Sequence, residues 1–163
     1  MPEEQPHQRH EFITAKLKLM EERCRKNRLS LTVQRRTILE NLASRTDHPT
    51  ADQIYAEIKE RITGVSRTTV YRVLETFVQL GIAQKICNPE AKARFDADTS
   101  RHHHAACVAC EKVLDIDARL IPEIDLSGVD LDGFELFDCS VVAVGLCKEC
   151  SSNKWIADSY KFN

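Results

Sequence analysis

The chain has 163 residues, 42% of them hydrophobic, with 23 Lys and Arg against 25 Asp and Glu and a formal net charge of −2. That length allows one domain or two small ones, with enough apolar residues for compact cores. The charged start Met1-Pro-Glu-Glu-Gln5 does not read as a secretory signal, and no apolar run approaches a membrane span, so a cytoplasmic protein is expected.

The first half reads as helices. Residues 11–27 place Phe12, Ile13, Leu17, Met20 and Cys24 at helical spacing. Thr32 is positioned to cap a second helix carrying Val33, Ile38, Leu39 and Leu42. His48-Pro49 breaks the chain, and Thr50 with Gln53 forms a capping box for a third helix to about Ile62. Ser66 caps a fourth, from Arg67 to about Leu80, and Gly81 stands at its expected end. Residues 82–87 alternate as a strand, 88–90 turn, and 91–96 return as a second strand. Helices followed by a hairpin make a winged helix, whose last helix is the natural reader of a major groove. Arg67, Thr68, Thr69, Tyr71 and Arg72 on that helix can hold phosphates or touch bases. An amphipathic helix with an ordinary polar face fits the same residues.

Beyond residue 90 the pattern is a small mixed α/β unit. Strands are expected at 113–116, 134–137 and 140–146, the last as a buried strand, and Cys139 is expected in an apolar strand as buried packing. A short helix is expected over 118–124 and a terminal one over about 148–160. The fold class is therefore α+β, a winged-helix domain at 1–90 and a mixed α/β domain at 91–163. The second has little core of its own, so metal and dimerisation are expected supports. Charge follows the same division: +3 over residues 1–90 and −5 over 91–163, which fits a polyanion partner for one half and cation binding for the other.

Seven cysteines are many for this length. Four stand as Cys107-Val-Ala-Cys110 and Cys147-Lys-Glu-Cys150, the thiolate set of a closed tetrahedral zinc site. Four reduced buried thiols or a redox pair are the alternatives. Cys24 and Cys87 receive no role. A second donor set, His48, Asp96, His102, His104 and Asp115, offers nitrogen and oxygen suited to an exchangeable divalent metal. On a strand His102 and His104 share a face, and His103 points away. An ion holding His48 to the later ligands would fix the angle between the halves. In a dimer that angle sets the spacing of two recognition helices.

The stretches Leu31-Thr-Val-Gln-Arg35, His48-Pro-Thr-Ala-Asp52, Ser66-Arg-Thr-Thr-Val-Tyr-Arg72, Arg94-Phe-Asp96, His102-His-His104 and both CxxC pairs resemble the ferric uptake regulator family over nearly the whole chain. The resemblance implies a homodimeric repressor, not an enzyme, that binds double-stranded operator DNA and carries structural zinc on Cys107, Cys110, Cys147 and Cys150. It also implies a regulatory Fe(II) or Mn(II) site at His48, Asp96, His102, His104 and Asp115, with Tyr71 and Arg72 on the recognition helix. Aspartate at both 96 and 115 is most similar to the peroxide-sensing branch, which implies iron-dependent oxidation of His48 or His102 and release of DNA. An iron-availability repressor of the same fold is the alternative, and a thiol-redox protein using its CxxC pairs is the alternative of another class. A metal storage or chaperone protein would bind ions without metal-dependent affinity for a specific DNA sequence.

Overall fold

The computed structural model describes residues 6–86, 92–122, 124–126, 128–129, 132–135 and 139–160. They form two compact units, residues 1–99 and 100–163. The division falls later than the expected 90/91 because the strand at Arg94–Asp96 pairs back onto Gln84–Ile86 and so belongs to the first unit.

In the first unit, α1 (Pro6–Lys26), α2 (Val33–Ala43), α3 (Ala51–Ile58) and α4 (Arg67–Gln79) precede a hairpin of β1 (Gln84–Ile86) and β2 (Arg94–Asp96). The caps are those written in the sequence. Thr32 accepts from the Arg35 amide, Thr50 and Gln53 close a reciprocal capping box, and Ser66 accepts from the Thr69 amide. Helix α3 ends at Ile58, short of the expected Ile62. After α4 the chain turns at Gly81, whose φ of +64° costs a glycine little. The helices close on one apolar core. Met20, Cys24, Ile38, Leu39, Leu42, Ile54, Ile58, Val70, Leu74, Phe77, Ile82 and Phe95 are all at most 1% exposed. Cys24, left without a role by its sequence, is packing.

The second unit is built on a three-stranded sheet in the order β4-β3-β5, with β3 (His102–Cys107) in the centre. β4 (Val113–Asp117) runs antiparallel to it and β5 (Val142–Gly145) parallel. Several expectations are corrected here. The helix expected over 118–124 is a single 3-10 turn, Ala118–Leu120, because Ile121 precedes Pro122 and is extended. Phe134 and Glu135 are not in a strand, and the rest of that expected strand lies outside the described residues. The apolar run in β5 is largely exposed within one chain, Val144 at 63%. Cys139 is half-buried and outside any strand. The terminal helix is two pieces, α5 (Lys148–Ser152) and α6 (Lys154–Ser159), broken at Asn153, whose side chain caps the second by accepting from the Trp155 and Ile156 amides. Cys87 lies outside the described residues. No helix among the described residues is long and apolar enough to cross a membrane.

Candidate metal centres and nucleic-acid interface

The four cysteines of the two CxxC pairs converge in the second unit. Pairing of Cys107 with Gly145 across β3 and β5 brings the first pair beside the start of α5, where Cys147 is the N-cap and Cys150 lies in the first turn. One sulfur from each cysteine lies within 4.8 Å of every other, with Cys110 Sγ and Cys147 Sγ 3.7 Å apart. Burial pushes the Cys107 thiol up, but amides of Cys147, Cys110 and Ala109 donating to its sulfur outweigh that and hold it at about 6. Hydrogen bonding to Cys147 and then burial push Cys150 up to about 12, and burial raises Cys110. Four sulfurs this close, with no disulfide among the described cysteines, fit a tetrahedral zinc ion.

The second donor set is divided between the units. In the second, His102 and His104 sit on one face of β3, ring centroids 4.6 Å apart. His104 is paired with Asp115 across the ladder, and Asp115 Oδ1 lies 3.4 Å from His102 Nε2 and 3.8 Å from His104 Nε2. Nδ1 of His102 faces the Ser100 carbonyl at 2.9 Å. Donation there leaves the Nε2 lone pair for a metal. His103 turns the other way, as alternation requires, and its Nδ1 accepts from the Val141 amide at 3.3 Å.

In the first unit, His48 and Asp96 meet at the base of the hairpin, Nε2 to Oδ2 3.7 Å, with the histidine 3% exposed. Both oxygens of Asp96 are oriented. Oδ1 accepts from the Asp98 amide at 2.8 Å, and Oδ2 accepts from Gln84 Nε2 at 3.2 Å. Gln84 also donates to the Asp98 carbonyl at 2.7 Å. In the β1–β2 register it stands opposite Asp96, a pairing that neither segment specifies alone, and Ser100 has no ligand chemistry of its own, so neither residue is marked in the sequence. Imidazole nitrogens and carboxylate oxygens suit Fe(II) or Mn(II) in both units.

Helix α4 displays the expected nucleic-acid residues unequally. Arg67, Thr68, Tyr71 and Arg72 are exposed, whereas Thr69 is half-buried with Oγ1 2.9 Å from Ser66 Oγ, part of the cap. Tyr71 packs edge-on against Phe95 and lies 3.4 Å from Lys85 Nζ. A cleft of about 460 Å³ opens between the starts of α3 and α4. Inside it Asp52 lies 2.7 Å from Lys92 and 3.9 Å from Arg67, whose guanidinium stacks over Tyr55. Lys85 and Lys92 are cations that the sequence reading missed. Lys85 is in β1 and Lys92 lies just before β2, both outside the helical stretch that supplied the expectation.

Residues 26–144 match the model of the ferric uptake regulator family. The chain is 34% identical to the peroxide operon regulator of Bacillus subtilis (strain 168) over 124 residues, covering 76% of this chain and 86% of that one. It is also similar to a manganese-bound ferric uptake regulator from Pseudomonas aeruginosa, at 31% identity, TM-score 0.61, and coverage of 78% and 97%. The Helicobacter pylori ferric uptake regulator shares the fold with a TM-score of 0.69 over 87% of this chain and 95% of its own, at 19% identity.

Proposed function

The chain belongs to the ferric uptake regulator family of metal-dependent transcriptional regulators, and on that premise we propose that it is a homodimeric repressor that releases operator DNA in response to peroxide. The observation that carries the reading is the donor set: two separately prearranged groups, His48 with Asp96 and His102 with His104 and Asp115. One ion taking ligands from both would couple the winged helix to the second unit. DNA affinity then follows metal occupancy, because occupancy selects one arrangement of the two halves. Zinc on Cys107, Cys110, Cys147 and Cys150 ties the second unit together and is not exchanged. The exposed apolar face of β5 would be covered by a second copy.

Iron(II), when bound, would activate hydrogen peroxide beside the ligand imidazoles, and the two electrons that reduce the peroxide come overall from the imidazole carbon. The net change at His48 or His102 is insertion of one oxygen into a ring C–H, with peroxide leaving as one water. An oxidised imidazole is a poorer ligand, so the DNA-competent arrangement is lost. The protein is consumed in the event, so it is a sensor and not an enzyme.

The test is anaerobic. The zinc-replete protein is loaded with Fe(II), bound to DNA from upstream of its own gene, and treated with a slight excess of peroxide. Oxygen on His48 or His102 by peptide mass spectrometry, loss of DNA binding, and no change with Mn(II) are the expected results. Unmodified histidines with DNA still bound would instead assign an iron-availability repressor, the reading to which the similarity with the Pseudomonas regulator lends support.

A further inference from the structure

His48 has a φ of +50°, in the left-handed region, and it precedes Pro49. A residue before proline is steered toward extended backbone, and a β-carbon in the left-handed region is crowded, so something must hold this conformation. Strand β2 does so at two points. Arg94 Nη1 donates to the His48 carbonyl at 2.9 Å, and the Phe95 amide donates to the Pro49 carbonyl at 3.0 Å, within the antiparallel bridge that pairs Thr50 with Arg94. The next residue along the strand is Asp96, the carboxylate facing the His48 ring.

Arg94 itself is anomalous. Its side chain is taken out of water, 9% exposed, and among the described residues its Nε has no hydrogen-bond partner. Burying a guanidinium is costly unless its donors are used. Here the side chain's hydrogen bond goes to the carbonyl of His48, one of four described non-glycine residues with a left-handed backbone and the one of them that precedes a proline.

We infer that Arg94 is a positioning residue for the regulatory metal: it holds His48 left-handed before any ion arrives, so that Nε2 of His48 and the Asp96 carboxylate stand ready as a two-ligand half-site. This rests on the regulatory role assigned above to His48 and Asp96. A ligand held ready does not lose its freedom at the moment of binding, so the gain appears as affinity.

The test uses the full-length zinc-replete protein as wild type, Arg94→Met, Arg94→Lys and His48→Ala. Backbone NMR shifts of His48 are read in the protein without regulatory metal. Mn(II) affinity is read by electron paramagnetic resonance well below the unfolding temperature, and DNA affinity at saturating Mn(II). Arg94→Met is expected to move the His48 shifts toward extended values and weaken Mn(II) about tenfold, the equilibrium weight of one left-handed residue. Its DNA affinity at saturating Mn(II) stays within about twofold, since bound metal restores the same arrangement. Arg94→Lys keeps a donor and holds both readouts within about twofold of wild type. A folded Arg94→Met with unchanged His48 shifts, or with unchanged Mn(II) affinity, overturns the inference. If Arg94→Met does not fold, Arg94→Gln, uncharged and too short to reach the carbonyl, takes its place with the same expectations. Unchanged Mn(II) affinity in His48→Ala would sink the metal reading instead, while the His48 shifts in the Arg94 variants still judge the clamp.

Discussion

The amide of Cys147 donates to Cys107 Sγ across 3.3 Å, joining two CxxC pairs that lie 36 residues apart in the chain. Together with the amides of Cys110 and Ala109, it holds Cys107 at about 6 while Cys110 and Cys150 are raised. At pH 7 the site without metal therefore carries one ready thiolate and at least two protonated thiols. Zinc needs every sulfur deprotonated, so binding expels protons, and fewer remain to be expelled as pH rises. Calorimetry in buffers of different ionisation heat is expected to show release of at least two protons at pH 7, and apparent zinc affinity rising with pH. Release of fewer than one would contradict the site.

Gln84 orients the Asp96 carboxylate by donating to Oδ2. Gln84→Leu removes the donor while keeping the volume roughly constant. Partners of metal ligands commonly govern affinity about 10- to 100-fold, and a partly exposed amide belongs at the lower end, about tenfold. Mn(II) titration of the zinc-replete variant checks this, with zinc content unchanged as the control. Equal Mn(II) affinity in variant and wild type would show that the amide has no such role.

Asp52 stands between Lys92 and Arg67 and neutralises part of the surface that would meet DNA. Exposed ion pairs are weak, so Asp52→Asn is expected to strengthen DNA binding only about two- to fivefold at low salt. It should also steepen the dependence of affinity on salt, as two cations are freed for phosphates. Fluorescence anisotropy across a salt series measures both. A weaker, less salt-dependent complex would instead mean that Asp52 positions those cations for contact.

Hydrogen bonding to Arg45, then the guanidinium's charge, holds Asp47 below its ordinary 3.8 against a partial desolvation that raises it. A carboxylate with a depressed folded value stabilises fully above the unfolded value, and that contribution is lost as pH falls through the folded one. Thermal unfolding between pH 5 and about pH 2 is therefore expected to show a shallower acid limb for Asp47→Asn than for wild type. Identical limbs would mean that the pair persists in the unfolded chain.

Much of the fold is legible in the chain because local chemistry writes it. Thr32, Thr50 with Gln53, Ser66 and Gly81 mark helix ends by bonds made within one turn, and each stands where it was expected. Both CxxC pairs and the alternation of His102, His103 and His104 belong to the same short-range grammar. The second unit is less legible for the same reason. Pro122 and Asn153 cut elements that their apolar patterns alone would have continued. The apolar run in β5 predicts burial yet is exposed within one chain, because hydrophobicity says that a face is to be covered, not by what.

The sequence by itself determined the donor types, the winged-helix order and the family, since each rests on residue identity and close spacing. Only the tertiary structure decided what holds those donors. Arg94 on His48, Gln84 on Asp96 and the Cys147 amide on Cys107 join residues 46, 12 and 40 positions apart. Strand register and a buried guanidinium bring these partners together. Register is a property of paired strands, and no local pattern in either segment specifies it alone.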